Sequence, residues 1–168
     1  MPHTSRYQKV CDVFTNKVIA CTKDTPLIEA VKLMRAHNVS AIFVKHQQQI
    51  VGVWTETDCL TLNFSDQTLR QVMIENVMSS PVLSVPSQQL LTDTAMVFNK
   101  HGVRHLLVTD ANDNPSGVIS ITDIVSNQGL EHYLQFRPIN EQYNKNIRVV
   151  PSSLAINDAV NLMRDYAE

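Results

Sequence analysis

Only four glycines occur in 168 residues. None sits in a Gly-rich phosphate loop or a nucleophile elbow, so P-loop and α/β-hydrolase chemistry find no support. Cysteine is sparse as well. Cys11, Cys21 and Cys59 are odd in number, widely spaced and form no Cys-x-x-Cys pair. The plain reading is a reduced, cytoplasmic protein with free thiols. The six histidines and three cysteines do not converge on metal-ligand spacing. The chain contains no run of about 18 apolar residues, so no membrane span is expected. Residues 1–9 lack the apolar core of a signal sequence. The net charge is only −2, which leaves no electrostatic footprint for nucleic acid.

Hydrophobic residues make up 43% and charged residues 18%, enough apolar material for a real core. The chain is organised around a heptad that occurs twice. Gly52–Asp58 reads Gly-Val-Trp-Thr-Glu-Thr-Asp, and Gly117–Asp123 reads Gly-Val-Ile-Ser-Ile-Thr-Asp. Each runs as a short strand into hydroxyls and a carboxylate, then a helix. A glycine inside a strand marks a close approach to the backbone. Two copies in one short chain indicate a duplicated unit.

Before the first heptad, Val18-Ile19-Ala20-Cys21 is a short strand, Thr25 is placed to cap a helix, and Pro26 suits its first position. Leu27, Ala30, Val31 and Met34 then line one helical face. His37-Asn38 ends that helix, 39–44 is a strand, and 50–54 leads into the heptad. A further helix is expected near Asp58. The pattern repeats in order. Leu91, Thr94, Ala95 and Phe98 take the helical positions, and His101-Gly102-Val103 matches His37-Asn38-Val39 at an offset of 64 residues. The stretch 106–108 is a strand, and 110–116 is a turn rich in Asn, Asp and Pro. Before the first unit, residues 1–16 are mixed and polar, with Val10, Val13 and Phe14 as possible anchors. A third copy starts after Val149-Val150-Pro151, with Ile156, Ala159, Val160 and Met163 again at helical spacing. It suggests a fragment of a longer protein or a segment that docks on a partner chain.

With both heptads and both central strands in view, the sequence resembles the CBS (cystathionine-β-synthase) domain family. The heptads are similar to its Gly-h-h-Ser/Thr-x-Thr/Ser-Asp signature, where h is apolar. The stretches 39–44 and 103–108 resemble its central strand, and Val77-Met78 is typical of the lead-in to a repeat. Trp54 stands where the family more often carries Val. The resemblance implies an α/β (α+β) fold: two βαββα repeats packed face to face about a pseudo-twofold axis, a Bateman module. The expected divisions are 17–65 for repeat 1, 66–77 for a connecting segment, 78–130 for repeat 2, 131–146 for a linker, and 147–168 for a partial third repeat or docking segment.

The residues of the heptads admit two readings. Ser/Thr-x-x-Asp is a capping pattern, and Thr55/Asp58 and Ser120/Asp123 both fit it. A carboxylate also accepts two hydrogen bonds from a ribose diol, and hydroxyls with helix N-terminal amides suit phosphate. One Asp can do both. The resemblance implies regulatory binding of an adenine nucleotide (AMP, ADP or ATP) or S-adenosylmethionine in the cleft between repeats. In that pattern one repeat's heptad joins the other repeat's central strand. Asp123, with Thr122 and Ser120, would grip the ribose; Arg104 and His105 would lie near the phosphates; Ser40 and Ala41 would flank the base. Arg suits phosphate through its planar fork of donors. Thr22, Asp58, Thr57 and Thr55 complete the candidate set. The Asp58 cleft would place bulky Arg104 and His105 at the base and uncharged residues at the phosphates, so the Asp123 cleft is preferred. No catalytic constellation is evident, so an enzyme is not expected. A fused or partner effector is, as is a homodimer formed through Leu60–Val77 and a helix over 124–136. A ligand-free dimerisation unit is the second reading. A stand-alone hydrolase or metal protein is a distant third.

Overall fold

The computed structural model describes residues 8–62, 66–127 and 147–165. Two three-stranded sheets organise the chain, each within its own compact unit. The first runs β1 (Ala20–Thr22), α1 (Leu27–His37), β2 (Ala41–His46) and β3 (Gln49–Thr55), closed by a 3-10 helix, Glu56–Thr61. The second runs β4 (Ser84–Pro86), α2 (Leu91–His101), β5 (His105–Thr109), β6 (Pro115–Ser120) and α3 (Ile121–Asn127). In each sheet the first strand pairs parallel with the second, and the second antiparallel with the third. The expected βαββα order is therefore present in the second unit, and as βαββ followed by a 3-10 helix in the first. The helix expected near Asp58 is a 3-10 turn rather than an α-helix. A last helix, α4 (Ile156–Asp165), belongs to the first sheet's unit. The helix expected over 124–136 is described only as far as Asn127, and 128–136 lies outside the described residues.

The helices follow from the apolar spacing. In α1, Leu27, Ala30 and Met34 are buried; in α2, Leu91, Thr94 and Phe98 are. Val31, expected on the same face, is 41% exposed at its edge. Asn38 (φ 52°) and Gly102 (φ 63°) end the two helices in the left-handed region, which Gly and Asn tolerate best. Basic side chains fill both last turns (Arg35 and His37; Lys100 and His101), where a cation complements the helix dipole. The expected Thr25 cap is not formed. Pro26 occupies the cap position in extended backbone. The Thr25 hydroxyl instead meets the Thr22 hydroxyl at 3.2 Å. The first helical amide, Leu27, donates to the Val72 carbonyl at 2.9 Å, so neighbouring backbone does the work of a side-chain cap.

Val72 belongs to a lead-in segment, and each lead-in completes the other repeat's sheet. Residues 72–79 precede the second repeat yet bond the first. Ile74 donates to the Thr25 carbonyl at 2.9 Å, Glu75 to that of Lys23 at 3.2 Å, and Ser79 to that of Val53 at 2.8 Å. Residues 8–15 precede the first repeat yet bond the second. Val10 donates to the Gln89 carbonyl at 2.9 Å, Cys11 to that of Ser87 at 2.8 Å, and Thr15 to that of Val118 at 3.0 Å. The α2 amide of Leu91 likewise donates to the Gln8 carbonyl at 2.9 Å. The two sets match one for one at the repeat offset of 64, except that Val118 stands 65 residues after Val53 because the second turn is one residue longer.

The cores reflect the exchange. Ile74 joins Leu27, Ala30, Met34, Ile42, Val44 and Trp54 in one. Val10 joins Leu91, Phe98, Leu106, Val108 and Ile119 in the other, with Val13 and Phe14 packed on it. Trp54 is accommodated with 1% exposure, but its indole Nε1 finds no hydrogen-bond partner.

Candidate functional site

β6 ends at Ser120, and α3 starts at once, so the polar half of the second heptad lies at a strand-to-helix junction. Ser120 donates to Asp123 Oδ2 from its amide (2.8 Å) and from its hydroxyl (2.6 Å). The Asp123 amide returns a bond to Ser120 Oγ at 3.3 Å. The first heptad is built the same way. Thr55 donates to Asp58 Oδ2 from its amide (2.7 Å) and its hydroxyl (2.9 Å). Both carboxylates therefore cap the helix that follows, and both do so through Oδ2. Thr57 and Thr122, one residue earlier, are exposed.

A second backbone bond ties each junction to the start of its own central strand. Ile121 donates to the Arg104 carbonyl at 3.1 Å, and Glu56 to the Ser40 carbonyl at 2.9 Å. His105 pairs in register with Ser120, and Ala41 with Thr55. The second unit thus brings Arg104, His105, Ser120, Thr122 and Asp123 to one end of its sheet. The first unit brings Ser40, Ala41, Thr55, Thr57 and Asp58 to the corresponding end. Thr22 is not among them. It pairs with Lys45, four residues along β2 from Ala41, which is about 13 Å at strand rise.

The two sets differ in charge. Arg104 is exposed and His105 half-buried, whereas Ser40 is half-buried and Ala41 buried. The second set joins a cation, an imidazole, two hydroxyls and a carboxylate, the donor and acceptor types that a phosphorylated sugar needs. The first set has the hydroxyls and the carboxylate alone. Cys59, beside Asp58, has its thiol pushed above its usual range by burial and further by the Asp58 carboxylate.

The order of these elements and their signatures decides the family. A CBS domain model matches the chain twice, over residues 10–64 and 74–129. The chain belongs to the CBS domain family. The CBS domain-containing protein YhcV of Bacillus subtilis is 29% identical over 119 residues, covering 71% of this chain and 84% of that protein. Solved CBS structures share the fold. The CBS domain pair of protein MJ0100, in complex with 5-methylthioadenosine and S-adenosyl-L-methionine, aligns with TM-score 0.63 at 20% identity, over 71% of this chain and 94% of that one. CBSX2 in complex with AMP aligns with TM-score 0.60 at 23% identity, over 70% and 93%.

Two further features of this CBS chain escaped the sequence reading. One is an apolar groove of about 650 Å³ in the second repeat, lined by Met96, Phe98, Ile121, Ile124 and Val125, with Arg104 at its wall. Met96 and Val125 are 64% and 48% exposed. Which flank of an amphipathic helix stays uncovered depends on its neighbours, which a spacing in the sequence does not give. The other is Arg164, whose role depends on contacts more than a hundred residues away. Among the described residues no group of His, Cys, Asp and Glu is arranged to hold a metal ion. Among them, too, no helix is long and apolar enough to cross a membrane.

Proposed function

We propose that the chain is a regulatory module that binds an adenosyl ligand, with AMP, ADP, ATP and S-adenosylmethionine as the candidates, and controls a fused or partner effector. The observation that carries this reading is the second repeat's junction, where the backbone of Arg104 is hydrogen-bonded to the helix that Asp123 caps. Capping engages Oδ2 of Asp123. Oδ1 is the oxygen we assign to the ribose diol. Arg104 and His105 are assigned to the phosphates, with Ser120 and Thr122 as supporting hydroxyls. Ser40, Ala41, Thr55, Thr57 and Asp58 form the lesser set, which lacks a phosphate-neutralising cation. Relatives of the same fold hold AMP, or 5-methylthioadenosine with S-adenosyl-L-methionine, which supports the adenosyl class. A thermal-shift and calorimetric screen with the four candidates tests the proposal. A saturable response to at least one is expected, and no response to any at millimolar concentration would overturn it.

A second reading is a ligand-free dimerisation module. The groove between α2 and α3 favours it, because exposed apolar patches of this kind mark association surfaces. Light scattering distinguishes the two. A dimer that persists unchanged in Asp123→Ala, with no ligand response in the parent chain, would support assembly alone.

A further inference from the structure

The groove of the second repeat has a counterpart in the first, and the two differ in chemistry. At the repeat offsets of 64 and 65, Met96 corresponds to Lys32, Asn99 to Arg35 and Ile121 to Glu56. Lys32 forms an exposed ion pair with Glu29 at 2.8 Å. The same surface is therefore charged in one repeat and apolar in the other. Exposed apolar patches mark association surfaces, so only the second repeat presents one between these helices.

The placement of α4 shows what kind of element fits. It packs on the 3-10 helix Glu56–Thr61, the counterpart of α3. Arg164 donates from Nε to the Leu60 carbonyl at 2.8 Å and from Nη2 to that of Leu62. Leu60 corresponds to Val125 of the groove. That contact uses one flank of α4, where Val160 and Arg164 are half-buried. The rest of its apolar face is left over: Ile156 and Met163 are 80% and 57% exposed. Ile156, Ala159, Val160 and Met163 follow at i, i+3, i+4 and i+7, the spacing with which an amphipathic helix enters an apolar groove.

Each chain thus carries a convex apolar helix face and a concave apolar groove, both open to solvent. Charge agrees with shape. Asp158 and Asp165 are the acidic residues of α4, and Arg104 is the charged residue at the groove wall. The first repeat's face is a poor occupant, because Lys32, Arg35 and Glu56 would lose their hydration against apolar walls. A second groove is also poor, because two concave surfaces meet at their rims and leave a void.

We propose that the groove between α2 and α3 takes α4 of a second copy of this chain, seated through Ile156 and Met163. The proposal rests on the groove as an association surface and is independent of the ligand the module binds. Helix and groove are different surfaces, so the contact is heterologous.

Sedimentation velocity of the full chain over a concentration series tests this. Met96→Glu and Val125→Glu place a charge in the groove, and Ile156→Glu and Met163→Glu place one on the helix. All four positions are exposed in the single chain, and far-UV circular dichroism checks that each variant folds. The parent chain should self-associate. Each variant should weaken association by about tenfold or more, the scale of one apolar side chain withdrawn from an interface. An equimolar mixture of Met96→Glu and Met163→Glu should associate more tightly than either alone, because one chain keeps its helix and the other its groove. A parent chain that stays monomeric at high concentration would overturn the proposal. Association lost in the groove variants but intact in both helix variants would overturn α4 as the occupant and leave the groove an association surface. Association intact in the groove variants, or no recovery on mixing, would overturn the pairing of helix with groove.

Discussion

Phe14 lies across Gly117: a Cβ at position 117 would overlap its ring and the carbonyl oxygen of Thr15. Met78 lies across Gly52 in the same way, its sulfur and Cγ filling the space of a Cβ. The signature glycines are required by the exchanged lead-ins, which cross each sheet where a side chain would stand. The neighbours differ in how readily they yield, since Met78 is a flexible chain and the Thr15 carbonyl is backbone. Gly117→Ala should therefore destabilise by about 1–3 kcal/mol, the usual cost of overpacking, and Gly52→Ala by less. Urea denaturation of both variants checks the ranking, and equal or reversed losses would contradict it.

The same exchange assigns each lead-in's stability to the repeat it does not precede. Val10 and Ile74 are both completely buried. Ile74→Ala should cost roughly 2–5 kcal/mol, with Val10→Ala smaller because it removes less volume. Hydrogen exchange should localise the first loss to β2 and β3 and the second to β5 and β6. The opposite assignment would show that each lead-in serves its own repeat.

The exchange marks where sequence reading stopped. The heptads, the apolar faces of α1 and α2, and the Asn38 and Gly102 helix ends were legible because each is a local pattern. So was the turn after β5, where Asp110 Oδ1 accepts the amides of Asn112 (2.8 Å) and Asn114 (2.9 Å). Those bonds hold the Asp110 carboxyl below its usual range. The match of Val10-Val13-Phe14 with Ile74-Val77-Met78 was also in the sequence. Its packing partner was not, because a spacing does not say which sheet a segment crosses. Thr25 looked like a cap for the same reason: the Val72 carbonyl that takes its place is remote in sequence. At the candidate site the capping chemistry of Asp58 and Asp123 was readable. The position of Thr22 was not, since it depends on the register of β1 against β2.

Thiol chemistry offers a check on the cores. Burial raises the thiols of both Cys21 and Cys59 above the ordinary value of 9.0. Cys11 is exposed. Iodoacetamide at pH 8 should therefore label Cys11 well before the other two, because the thiolate is the nucleophile. A folded-state pKa above the unfolded one gives a contribution that is intact below pH 9 and lost as pH rises through the folded value. Cys21→Ala and Cys59→Ala should each flatten the alkaline limb of the stability profile. A limb unchanged in both would contradict the assignment.

Under the proposed function, Asp123 and Arg104 divide the ligand between ribose and phosphate. Isothermal titration of AMP and of adenosine against Arg104→Ala and Asp123→Ala tests this division. A charge-assisted bond is worth roughly 1.5–3 kcal/mol, on the order of tenfold to a hundredfold in affinity. Arg104→Ala should weaken AMP by about that factor and leave adenosine nearly unchanged. Asp123→Ala should weaken both alike, because both carry the ribose. Equal losses for AMP and adenosine in Arg104→Ala, or undiminished binding in Asp123→Ala, would contradict the claim.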